Sequence, residues 1–299
     1  IEEANRYHIL PEPHYARATR ELLSPRRGAF VAASPFDITP TTDDRPYHSL
    51  SVRWRGLKHL RSTMGDRWVS FADWGYIVLI ATVAQAALAA VVLVLVPLLV
   101  ARGGRVSARL RVGTLAYFAA LGVGYMLVEL CLMQKLSLFL ASPVHSAALV
   151  LSTFLVFSGA GSLASGRLAR SARRGALTGA LGAVGVGLIL WVAGESVLGH
   201  FVGRPLLLRC VIAAVYAAPL AFFMGMPFPS GLRLLAERAP QATPWAWGIN
   251  GSASVVGAAL TPVLAVSFGF RTTLLLAFGA YGAAALAVAL LGRAGECRT

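Results

Sequence analysis

Residues 74–100 run for 27 positions without a charged side chain. A hydrocarbon core about 30 Å thick is crossed by about 20 helical residues, so this run reads as a membrane span. Six further apolar runs follow, at about 112–134, 144–166, 176–194, 206–226, 245–268 and 272–291. The expected fold class is therefore an all-α transmembrane helical bundle of about seven spans. The last two runs are separated only by a tight connection around Gly269 and Arg271. Small residues recur four apart, as at Gly175, Gly179 and Ala183 or at Gly161 and Ser165, which predicts close helix packing where lipid offers no hydrophobic drive for association.

Charge divides the chain. Residues 1–73 hold 11 Lys/Arg and 9 Asp/Glu, whereas residues 74–299 hold 16 and 4. The arginines of the second region lie in short tracts between apolar runs, such as Arg102, Arg105, Arg109 and Arg111, or Arg167, Arg170, Arg173 and Arg174. Such tracts suit loops beside anionic lipid rather than a nucleic-acid groove, so the expected partner is the lipid bilayer and no nucleic acid. Cys131, Cys210 and Cys297 are too few and too scattered for a disulfide framework or a cysteine zinc site. The expected organisation is a mixed segment at 1–50, a basic linker at 51–73, a helical membrane domain at 74–292 and a tail at 293–299. In the linker, Trp54, Leu57, Leu60, Met64 and Trp68 recur at helical spacing among basic residues, which predicts a short interfacial helix, with a solvated linker as the alternative.

The chain opens on Ile1 in a charged, mixed segment without the basic start and short apolar core of a signal peptide, so a longer protein is expected, with part of its function upstream. Alternate loops carry 12 and 9 Lys/Arg, a tally that puts the carboxyl terminus in the cytoplasm and the amino-terminal region outside.

Three places carry polar chemistry. The first is a proline-punctuated acidic turn containing Asp43, Asp44 and Arg45. Asp in such a turn accepts backbone hydrogen bonds, with Arg45 neutralising one carboxylate; a metal or a cationic substrate is the other reading, and no His or Glu nearby completes a ligand set. The second is Glu129, which in hydrocarbon must be paired, protonated or in reach of water. It sits either at the far interface, beside Gln134 and Lys135, or in a polar cluster with Gln134, Asn250, Ser252 and Ser254. The third is the stretch from Gly225 to Gly231, with Pro227 and Pro229, read as a helix stop and alternatively as a broken helix of the kind that transporters place at midplane sites. No phosphate loop, H-E-x-x-H or nucleophile elbow is visible, and no catalytic residue can be named.

Five short motifs stand in a fixed order: Thr42-Asp43-Asp44-Arg45-Pro46-Tyr47; Gly124-Tyr125-Met126-Leu127-Val128-Glu129, leading to Gln134; Ser158-Gly159-Ala160-Gly161-Ser162; Gly225-Met226-Pro227-Phe228-Pro229-Ser230-Gly231; and Trp247-Gly248-Ile249-Asn250-Gly251. In this order they resemble the carboxyl-terminal part of bacterial membrane-embedded spermidine synthase-like proteins, over most of residues 35–292. The resemblance implies an upstream Rossmann-like domain related to polyamine aminopropyltransferases and to S-adenosylmethionine-dependent methyltransferases, of which residues 1–50 would be a short α/β remnant. It implies S-adenosylmethionine or its decarboxylated form as an upstream cofactor, with none in this chain, a small amine as substrate, and the bacterial inner membrane as location. The helices from the second run onward also resemble half of a major facilitator transporter, which leaves a polar-solute or polyamine transporter as the alternative function. Likeness of fold does not establish transport.

Overall fold

The structure is a computed structural model of all 299 residues. It describes residues 14–34, 36–47, 58, 61–62, 65, 74–96, 108–168 and 171–293. These fall into two units, residues 1–42 with 46–77, and residues 43–45 with 78–299.

In the first unit, α1 (His14–Leu22) and α2 (Arg27–Ala33) pack on each other across a turn. The Ser24 hydroxyl donates to the Glu21 carbonyl at 2.8 Å, and the exposed Arg26 pairs with Glu21 at 3.7 Å. Among the described residues there is no strand; Phe36, Thr42 and Arg45 form isolated bridges. The expected α/β remnant therefore shows only helices here. Of the basic linker, Lys58, Arg61 and Ser62 are helical and Gly65 stands at φ 52, while Trp54, Leu57, Leu60, Met64 and Trp68 of the expected interfacial helix lie outside the described residues.

Among the described residues, the apolar stretches of the second unit are helical. Its elements are α3 (Trp74–Ala90), whose residues up to Ile77 are counted with the first unit and which widens into a π-helical turn at Val91–Leu95, then α4 (Ala108–Leu140), α5 (Pro143–Leu168), α6 (Ala172–Phe201), α7 (Leu206–Gly225), α8 (Pro227–Arg238) and α9 (Thr243–Arg293). Local chemistry sets the ends. Ala141, at φ 55, closes α4 in the left-handed conformation. Pro143 occupies the first position of α5, where its missing N–H costs nothing, and Ser142 caps the turn by accepting from the His145 N–H. Ser171 caps α6 in the same way through the Arg174 N–H.

Six stretches among the described residues are long and apolar enough to cross a membrane, namely Trp74–Val94, Leu110–Leu140, Pro143–Arg167, Ala172–Phe201, Leu206–Arg238 and Pro240–Val288. Large apolar side chains cover their outside, including Val144, Leu155, Leu163 and Leu207, each more than 70% exposed. Apolar surface so continuous fits hydrocarbon and not water. This is an integral membrane protein with an all-α bundle.

The tight connection expected around Gly269 and Arg271 is there: non-helical backbone at Gly269 (φ 86, ψ 166) divides α9 into two helical legs. In the stretch from Gly225 to Gly231, α7 ends at Gly225 as expected, and a new helix, α8, begins at Pro227 and runs to Arg238. Pro227 and Pro229 lack the N–H groups that would continue the ladder, and Pro227 suits a first helical turn, so the chain kinks and resumes. Several helices also extend past the expected runs, because flanking residues such as Arg111, Lys135 and Arg167 keep helical backbone.

The core is built chiefly from α4 against α9, with Tyr117, Phe118, Val128, Cys131, Leu132 and Leu136 buried on the first and Phe270, Leu274, Phe278 and Tyr281 on the second. Around this pair α5 packs on α7, and α6 on α7, α8 and α9.

Candidate functional site

The acidic turn meets the bundle at the Gly269 break. A helix that starts afresh after a break exposes unpaired N–H groups, and the leg that ends before it exposes unpaired carbonyls. The backbone carbonyl of Asp44 accepts from the Phe270 N–H at 3.0 Å, and its carboxylate Oδ1 accepts from the Arg271 N–H at 2.8 Å. The Arg45 Nε donates to the Val266 carbonyl at 3.1 Å. An anion thus stands at the amino end of the second leg and a cation at the carboxyl end of the first, each where the helix dipole favours it. Asp43 is exposed. Asp44 does accept backbone hydrogen bonds, but from residues more than 220 positions away, and Arg45 serves a carbonyl.

The same end of the bundle gathers further polar groups. Arg271 stacks over Trp191 with its guanidinium carbon 4.3 Å from the ring centroid, and it pairs with Glu195 at 3.0 Å. Lys135 joins Glu195 at 3.6 Å, and the Trp191 indole donates to the Arg271 carbonyl at 3.0 Å.

A second feature lies inside the bundle. A cavity of about 420 Å3, within the usual range of small-molecule sites, opens between α4, α5, the α7–α8 break and both legs of α9. Four of the five motifs contribute to its wall: Tyr125 and Met126 from the second, Ser158, Gly159 and Ser162 from the third, Gly225, Phe228 and Pro229 from the fourth, and Asn250 from the fifth. Ser254 and Tyr281 complete the polar lining. Tyr125 is hydrogen-bonded to Ser158 and stacks edge-on against Phe154 at 5.7 Å. Phe228 is held edge-on by Phe118 at 5.6 Å and by Trp247 at 4.8 Å. At the cavity edge the backbones of α5 and α7 touch, and a Cβ on Gly225 would run into the Ser158 carbonyl oxygen.

The polar residues singled out from sequence are distributed as follows. Asn250 and Ser254 come together, with Asn250 Nδ2 donating to the Phe118 carbonyl at 3.1 Å and Ser254 Oγ reaching the Asn250 carbonyl at 2.9 Å. Glu129 is 8% exposed, and its carboxylate has no hydrogen bond among the described residues. It lies one turn beyond Tyr125 and interacts electrostatically with Tyr125 and Tyr281 rather than lining the cavity. Its helical position is 11 residues, about 16 Å, past Phe118, the partner of Asn250. Ser252 is half-buried outside the cavity wall, and Gln134 lies further along α4 towards Lys135.

Tyr281 and Ser158 were not singled out as site residues. The signal for Tyr281 was a lone tyrosine in an otherwise apolar run, flanked by Gly279 and Gly282. In comparisons with protein-family models, curated proteins and solved structures, nothing matches this chain.

Proposed function

We propose that this chain is the membrane-embedded carboxyl-terminal portion of a spermidine synthase-like protein, whose transferase chemistry belongs to an upstream domain and whose bundle presents an acceptor-binding cavity within the bilayer. The observation that carries the reading is the convergence of four separate motifs on one cavity wall, while the fifth clasps the Gly269 break. Residues that share a motif order and one site are accounted for together by a common ligand more economically than by helix packing alone.

On this reading the two legs of α9 cross the membrane separately, giving seven crossings, because each has more than 20 residues on its side of Gly269. The membrane is the bacterial inner membrane. The upstream domain would hold S-adenosylmethionine or its decarboxylated form, and residues 1–50 would be its last elements. The test is calorimetry on the full-length protein in detergent. Binding of either sulfonium cofactor is expected, and absence of binding to both removes the transferase reading.

One observation favours a second reading, a polar-solute or polyamine transporter: the proline-broken α7–α8 segment lines the cavity, as broken helices line transport sites. It predicts that Glu129→Gln lowers spermidine uptake into proteoliposomes at unchanged expression. Equal uptake by variant and parent takes Glu129 out of the mechanism.

A further inference from the structure

The chemistry of the cavity wall narrows what can occupy it. Its polar groups are hydroxyls and one carboxamide, from Tyr125, Ser158, Ser162, Asn250, Ser254 and Tyr281, and among the described residues no charged side chain lines it. A polycation entering such a wall would shed the water of several charges with at most one carboxylate, Glu129 behind Tyr125 and Tyr281, to answer them, and each unanswered charge costs several kcal/mol. An uncharged hydrogen-bonding group loses far less, and a single good partner compensates it.

One such partner is waiting. Tyr281 is 1% exposed and lines the cavity, yet its hydroxyl has no hydrogen-bond partner among the described residues. Buried phenols usually find one, so this hydroxyl is a ready donor for an incoming oxygen. Asn250 spends one amide hydrogen on the Phe118 carbonyl and keeps its remaining capacity beside the cavity.

The way in is lateral. Leu155 is 76% exposed and Gly159 is exposed, both on the outward face of α5, and both belong to the cavity wall. Depth agrees. Asn250 lies about 10 Å and Ser254 about 16 Å from the start of α9, and Tyr281 about 18 Å from its end. These polar groups sit below the headgroup layer, where a phosphate would be stranded and an ester or hydroxyl is at home.

We infer that the cavity binds an uncharged amphiphile of the diacylglycerol type drawn sideways from the bilayer, with apolar chains and a hydroxyl or ester oxygen that accepts a hydrogen bond from the Tyr281 hydroxyl. This deepens the reading above by naming the ligand class of the same cavity. Binding needs no transfer reaction, so it succeeds or fails independently of cofactor binding by the upstream domain.

The test uses the chain in nanodiscs with a diazirine-bearing diacylglycerol. Light should label peptides of α5 and α9, and unlabelled diacylglycerol should suppress the labelling. Gly159→Trp should abolish it, because a Cβ at Gly159 has nothing within 4 Å and the ring then fills the mouth without disturbing packing. Gly185→Trp, equally open on α6, should leave it intact. Tyr281→Phe should weaken competition by about three- to tenfold, the worth of one hydrogen bond, while the thermal midpoint stays unchanged. Suppression of labelling by spermidine would overturn the inference, as would equal labelling of parent and Gly159→Trp or stronger capture of a diazirine-bearing phosphatidylglycerol.

Discussion

Two helix breaks among the described residues, at Gly269 and at Met226, are built differently. At Gly269 the backbone takes a conformation that L side chains rarely adopt, and the groups set free are met by Asp44 and Arg45. At Met226 the backbone stays close to helical (φ −77, ψ −39), two prolines remove donors, and the stretch borders open space with Gly225, Phe228 and Pro229 in the cavity wall. The first break is closed by polar contacts and holds two legs of the core in register. The second is held by ring packing and leaves room beside it. A break whose polar groups are satisfied serves the fold; one that faces a cavity is available to a ligand.

The sharpest way to break this contrast is at Gly269. Its φ and ψ lie in a region that is essentially glycine's own, and a Cβ there would collide with the Asp44 carboxylate. Gly269→Ala should cost about 3 kcal/mol or more, read as a large drop in thermal midpoint. A stable variant would mean that the clasp is not needed. Gly225→Ala comes next, because it drives α7 off the Ser158 backbone. About 1–3 kcal/mol is expected, together with loss of lipid-probe labelling, which Gly269→Ala should affect only through unfolding.

Asp44→Ala removes the carboxylate that caps the Arg271 N–H and should cost about 1–2 kcal/mol. Asp44→Asn keeps an acceptor and should cost about half as much or less. Equal losses in the two variants would show that charge, not the hydrogen bond, matters at this end. The smallest effect belongs to Glu195→Gln. Its carboxylate is half exposed beside Lys135 and Arg271, and such pairs contribute about 0–1 kcal/mol. A larger loss in the denaturation midpoint would promote this cluster to a part of the clasp.

How much of this was legible in the sequence follows from the same contrast. Uncharged length marked the spans, and Gly269 and Arg271 marked the tight connection, because these signals are local. The partner of Asp44 was not legible, since it lies 227 residues away at Arg271 and nothing near residue 44 records that distance. The fate of Gly225 to Gly231 was ambiguous because two prolines and two glycines suit both a stop and a kink. Asn250 and Ser254 stood out as polar residues in an apolar run. Glu129 stood out more strongly, yet it belongs beside the cavity's tyrosines rather than in its wall. Tyr281 gained meaning only when both legs of α9 closed on α4, a tertiary event that periodicity does not encode.

The most direct measurement places a spin label at position 159 in nanodiscs and compares its collisions with molecular oxygen, which concentrates in lipid, and with a water-soluble nickel chelate. The account predicts high oxygen and low nickel accessibility, with the nickel value unchanged when the Gly225 to Gly231 stretch is varied. High nickel accessibility would contradict it, because the cavity would then open to water rather than to the bilayer.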